Sequence, residues 1–110
     1  MYTILFLFTV TPAWLRLTRQ ERTAFRERVL EPIFAIHASV EVQAFDAEAF
    51  SASCSDFLIL RTPDLQAYYH LMEALRDTEM FTVPYLEVKD IIIGLQDGYQ
   101  RYEEKYGAMP

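Results

Sequence analysis

The chain has 110 residues, of which 52% are hydrophobic and 15% aromatic; that is enough apolar side chain for one core, too little chain for a second, and far too much hydrophobicity for disorder. A formal net charge of −6 has the wrong sign for a nucleic-acid partner, which needs clustered basic residues against phosphate. The one cysteine, Cys54, allows no internal disulfide and fits a reducing cytoplasm.

The opening MYTILFLFTVTPAW lacks the basic start and small-residue cleavage pattern of a signal peptide. No run reaches the roughly twenty apolar residues of a membrane span, so no membrane partner is expected. Tyr2–Val10 is β-branched and aromatic without alternation, which predicts a strand covered on both faces. Thr11-Pro12 opens a short turn through Trp14 to Leu17, with proline at a first helical position. Thr18-Arg-Gln-Glu21 matches a capping box, and Phe25, Val29, Ile33 and Ile36 follow at helical spacing. Pro32 removes the amide that would bond Arg28, which predicts a kink or break there. Val40–Phe45 and Asp56–Arg61 read as the next strands. Thr62-Pro63-Asp64 starts a helix with the inward stripe Leu65, Tyr68, Met72 and Leu75, and Leu86–Ile93 is the fourth strand. Leu95, Tyr99, Tyr102 and Tyr106 are spaced for a tail helix with Gly107 at its C′ position, although Gly98 weakens it.

The order β-α-β-β-α-β plus a tail helix is the split βαβ, ferredoxin-like arrangement. It places residues 1–110 in one α+β domain with both helices on one face of an antiparallel sheet. Strands one and four carry apolar side chains on both faces, Ile4, Phe6 and Phe8 against Leu5 and Leu7 in the first case. The sheet face without helices therefore needs a cover, and the simplest is a second copy, sheet against sheet about a twofold axis. This makes a dimeric α+β barrel.

Three segments, TPAWLRLTRQER, FDAEAFSASCSDF and PYLEVKDIIIGLQDGY, resemble the darcynin family over nearly the whole chain. The resemblance implies the dimeric α+β-barrel superfamily, and with it the fold and dimer just argued. That superfamily includes cofactor-free monooxygenases, polyketide cyclases, isomerases, haem-binding enzymes and proteins without known reaction, so fold cannot supply function. It also implies a cavity between the sheet and the protomer's own helices.

Arg22 extends the apolar stripe of the first helix toward that cavity. It reads either as a stem packed at the sheet rim with its head in water, or as a clamp for an anionic ligand. Between Arg28 and Arg61 there are five carboxylates and no Lys or Arg. Such repulsion can raise a pKa and poise Asp46 or Asp56 as a general base, although acidic residues beside a turn also serve only to hydrate it. Glu48 shares this alternative with less to recommend it. The connection Ala47–Ser55 is long for a hairpin and carries Phe50, which is expected to pin it over the core or a partner. Trp14, Tyr68 and Tyr85 read as core residues, or as pocket walls whose polar atoms need partners.

His37 sits at a helix end and His70 opposite an apolar stripe; with Cys54 they give no metal-ligand spacing and no inward axial ligand for haem. Cys54 has no basic neighbour to activate it. The resulting expectation is a cytoplasmic homodimer that binds a small apolar or aromatic metabolite, with no metal and no cofactor. As an enzyme it would be a cofactor-free isomerase, cyclase or monooxygenase, with Asp46 or Asp56 as base and Arg22, Tyr68, Trp14, Phe50 and Tyr85 about the substrate. The alternative is a non-catalytic dimeric binding or accessory protein with a filled interior.

Overall fold

In the computed structural model, which describes residues 1–107, four strands form one antiparallel sheet in the order β2-β3-β1-β4. They are β1 (Tyr2–Val10), β2 (Glu41–Asp46), β3 (Asp56–Thr62) and β4 (Leu86–Leu95). The helical segments are α1 (Pro12–Leu15), α2 (Arg19–Phe25), α3 (Glu31–Ile36), α4 (Leu65–Arg76), α5 (Glu79–Thr82) and α6 (Gly98–Tyr106). This is the ferredoxin-like arrangement that the element order predicts.

Side-chain caps fix the helix starts. At α2 the Thr18 hydroxyl accepts from the Glu21 amide at 3.1 Å, and the Glu21 carboxylate accepts from the Thr18 amide at 2.8 Å. These bonds, the backbone one foremost, hold the Glu21 carboxyl below its ordinary range. At α4 the cap is Asp64, whose carboxylate accepts from the Gln66 amide at 2.9 Å. Thr78 caps α5, a single turn with no apolar period to announce it, and donates its buried hydroxyl to the Leu75 carbonyl at 2.7 Å.

Pro32 produces the expected irregularity one turn early. A π-helical turn, Arg26–Leu30, joins α2 to α3, with the Glu31 amide bonded to the Arg26 carbonyl five residues back. A straight α-helix would drive the proline ring into the Arg28 carbonyl, and the wider turn avoids this while keeping Glu31 bonded.

Strand register decides the faces. Ile4, Phe6 and Phe8 lie opposite Leu60, Leu58 and Asp56 of β3, while Val42, Ala44 and Asp46 of β2 lie opposite Leu60, Leu58 and Asp56. All of these point toward the helices. Ile4, Phe6, Leu60, Val40, Leu71 and Leu75 make the main core, and a second cluster gathers Phe25, Met80 and Leu86 beneath Trp14 and Tyr85. The other face carries Leu5, Leu7, Phe57, Ile59, Phe45 and Ile92. Phe45 and Phe57 stack there at 5.0 Å, yet Phe45 is 40% and Ile92 50% exposed. No element among the described residues covers that face.

Strand ends differ from expectation: β2 runs Glu41–Asp46 and β3 ends at Thr62, each one residue further on. β4 continues to Leu95, so this residue belongs to the strand and not to the tail-helix stripe. Asp97, at φ 54°, then makes the left-handed turn into α6, where Gly98 is the first residue. Gly107 follows α6 with an ordinary right-handed φ of −65°. Every α6 residue after Gly98 is exposed, and the molecule is elongated at 61 × 32 × 19 Å.

Candidate functional site

Asp46 and Asp56 face each other as the last pair of the β2–β3 ladder. Asp56 is also opposite Phe8 on β1, so its carboxylate emerges on the helix side, at the edge of the apolar layer. Ser55 is built in around it. Its hydroxyl accepts from the Val10 amide at 2.9 Å and donates to Asp56 Oδ1 at 2.7 Å. The Ala47 amide donates to the Ser55 carbonyl at 2.8 Å, closing the long connection.

Oxygens of Asp46, Glu48 and Asp56 lie within 4.8 Å of one another. Partial burial raises the Asp56 pKa, the bond from Ser55 opposes this, and the hydrogen bond and negative charge of Asp46, with that of Glu48, raise it further. Three carboxylate oxygens are fewer than the six to eight that a calcium ion takes, so a cation here would need other ligands to complete its shell.

Two adjoining cavities open in front of this carboxylate. One, of about 460 Å³, is walled by Trp14, Leu15, Arg22, Asp46, Glu48 and Asp56 among others. The second, a vestibule of about 500 Å³, shares Trp14, Arg22 and Asp56 with it and adds Arg19, Arg26 and Leu30. Trp14 is held in place by Phe25 and Tyr85, with ring centroids 5.9 and 5.3 Å away in edge-to-face contact. The α1 start that carries Trp14 is itself tied to the segment before β4: the Thr11 amide donates to the Tyr85 carbonyl at 2.9 Å. Partly buried Arg22 donates from Nε to the Leu17 carbonyl at 3.2 Å, leaving its terminal nitrogens toward the cavity. Among the described residues it makes no ion pair with Asp46 or Asp56.

Behind the vestibule lies a third space, a chamber of about 210 Å³ between sheet and helices. Phe8, Arg26, Leu30 and Met80 wall both, and Arg26 is the single charged residue among those lining the chamber. At its far side the chamber shares Phe6, Met72 and Phe81 with a groove of about 320 Å³ between α4 and β4, where Tyr68 stands.

The structure thus brings together Asp46, Asp56, Arg22 and Trp14, with Tyr85 packed behind Trp14. Tyr68 is set apart in the α4–β4 groove, where burial raises its hydroxyl pKa. Phe50 corrects the expectation of a loop pinned over the protomer's own core, one of its two expected anchors: it is 91% exposed and lines none of these cavities. The loop holds itself instead, the Phe50 and Ser51 amides both donating to the Ala47 carbonyl at 2.9 Å while Ala47 and Cys54 bury. Neither His37 nor His70 lines the three spaces, so their walls offer no imidazole to a haem iron. Sequence reading passed over Arg19, Arg26 and Leu30. The spacing of Arg19, Arg22 and Arg26 at i, i+3 and i+7 is a signal that could have found the first two.

Comparison with known proteins adds a family and a fold. The family model "Darcynin, domain of unknown function" matches residues 1–110. Darcynin 1 of Acinetobacter baumannii is 46% identical over 87 residues, which cover 79% of this chain and 97% of the relative. A darcynin homolog of Streptomyces avermitilis is 39% identical over 109 residues, 98% of this chain and 87% of the relative. Among solved structures, chlorite dismutase from Candidatus Nitrospira defluvii in complex with imidazole superposes with a TM-score of 0.71 at 14% identity. That match covers 84% of this chain but 38% of the dismutase. At this identity the likeness concerns the fold alone.

Proposed function

The chain belongs to the darcynin family, and on that footing we propose that it is a homodimeric small-molecule-binding protein whose ligand is an apolar or aromatic metabolite held between its own sheet and helices. The observation that carries this reading is the chamber of about 210 Å³, walled by aliphatic and aromatic side chains and reached through a charged vestibule. Concave, mostly apolar sites with a few convergent polar groups are where small ligands bind. A filled interior, the alternative expectation, has no place for such a space.

The chemistry that fits is cofactor-free proton transfer. Asp56 is partly buried, its pKa is raised, and it faces the same cavity as Arg22. Its carboxylate takes a proton from an acidic C–H of the substrate and returns it to a second carbon, an isomerisation that balances without oxidant or reductant. Arg22 and Arg26 hold the negative charge that develops meanwhile. Asp46, hydrogen-bonded to Asp56, favours the protonated form between the two transfers. The partner is a second copy, because Leu5, Leu7, Phe57, Ile59, Phe45 and Ile92 form an uncovered apolar sheet face. No helix among the described residues is long and apolar enough to cross a membrane.

Benzene is the simplest probe, since its six carbons fit the chamber. In an NMR titration the methyl resonances of Leu58, Met72 and Leu75 are expected to shift together and saturate at millimolar concentration. Unchanged methyl resonances, with shifts confined to surface residues, would contradict the reading.

A further inference from the structure

We infer that the ligand is a monocarboxylic acid with a short apolar body, its tail in the apolar chamber and its carboxylate at Arg26, where chamber and vestibule meet. The inference rests on the reading of the chamber as a binding cavity and adds the chemistry of the head group and a length for the tail.

Charge placement argues for an acid. Arg26 lines the chamber and the vestibule, whereas Asp56 lines the vestibule and the cavity beyond it, and Asp46 and Glu48 only that further cavity. A group leaving the chamber on the vestibule side therefore meets a guanidinium before it meets a carboxylate; the groove on the far side offers Glu73 beside Arg76. Arg19 and Arg22 stand on the same vestibule wall, three arginines to one aspartate. Arg26 is also available to a ligand. Its one ion pair, with Glu31 at 3.9 Å, joins two exposed side chains, and such pairs are weak enough for a bidentate carboxylate to replace.

The backbone explains why Arg26 is there. Arg26 and Leu30 are the first and last residues of the π-helical turn, and they are the two residues of that turn on the chamber wall. Residues four apart share one face of a helical turn, so guanidinium and leucine face the chamber together. Size sets the tail. An apolar cavity of about 150 Å³ accepts the six carbons of benzene, so about 210 Å³ accepts a tail of about seven or eight. Octanoate, with seven carbons beyond its carboxyl carbon, fills it.

The test is calorimetric titration of the wild-type chain with hexanoate, octanoate, dodecanoate and 1-octanol, followed by Arg26→Gln and Arg26→Lys variants checked for an unchanged melting temperature. Octanoate is expected to bind at least about tenfold more tightly than 1-octanol and more tightly than either hexanoate or dodecanoate. Arg26→Gln should erase the preference for acid while leaving 1-octanol within about twofold, and Arg26→Lys should keep part of that preference. Equal binding of octanoate and 1-octanol, or a preference that survives Arg26→Gln, overturns the head-group assignment and leaves the chamber reading standing. If neither octanoate nor 1-octanol binds, the chamber reading falls as well.

Discussion

Asp56 is where the site's chemistry and its cost to stability coincide. Its folded-state pKa is raised, first by burial and then by Asp46 and Glu48, so the fold favours the protonated acid. The contribution to stability is fully present below the unfolded-state pKa and is lost as pH rises through the folded one. At neutral pH the ionised pair is a strain on the native state. Asp56→Asn keeps the shape and the acceptor for Ser55 but removes the repulsion. It is expected to raise the melting temperature at pH 7 by about 2 °C, a figure discounted for solvent screening of a half-buried group, and to leave it unchanged near pH 3. Thermal melts at the two pH values check this; a loss of stability at pH 7 would show that the carboxylate is compensated. Chelator is expected to leave the wild-type melting curve where it is, because the three carboxylates alone leave a hard cation's shell incomplete and no His or Cys among the described residues joins them to hold a softer one. The acidic stretch was legible in the sequence as five carboxylates without Lys or Arg, but the pairing of Asp46 with Asp56 was not, because a connection as long as Ala47–Ser55 does not fix strand register. Phe50 was not legible. An aromatic residue is usually buried, but here backbone bonds to Ala47 close the loop and leave the ring outside.

At the scale of elements, the strands and helix caps followed from patterns with a direct physical cause. Continuous runs of β-branched, aliphatic and aromatic residues located β1 and β3, and the Thr18–Glu21 capping box located the start of α2. Thr18→Ala leaves the Glu21 amide without its side-chain partner and is expected to cost about 1 kcal/mol, measurable by urea denaturation. The π-helical turn was only half legible: Pro32 announces a break but not its form or place. Pro32→Ala restores an amide that can bond the Arg28 carbonyl, which allows the turn to relax to a regular α-helix. The expected outcome is equal or greater stability together with altered chemical shifts at Arg26 and Leu30. Unchanged shifts at both residues would mean that packing, and not Pro32, holds the turn. α5 escaped notice because one turn has no period to detect, and its cap, Thr78, looks like any other threonine.

The whole molecule raises the question of what covers it. For about 110 residues a compact radius of gyration is about 13 Å, against 16.8 Å here. The excess lies in an extended shape whose outer sheet face is apolar and whose α6 stands exposed. The face assignment makes Leu7 the residue to change, since Phe6 points into the core. Sedimentation is expected to give twice 12.9 kDa for the wild type, and Leu7→Asp should give monomer or aggregate; a well-folded wild-type monomer would remove the dimer. The chamber itself could not be read from sequence, because empty volume depends on how Phe34, Met72, Met80 and Phe81 fall short of meeting and not on any pattern in their order. Its existence as a dry, ligand-accepting space is the centre of the account, and a crystal pressurised with xenon tests it most directly, since xenon enters apolar cavities that water avoids. One strong xenon peak is expected between β3 and α4, within contact of Leu58, Met72 and Phe81. A chamber that holds ordered water instead, or side chains that close it with no xenon peak, would contradict it.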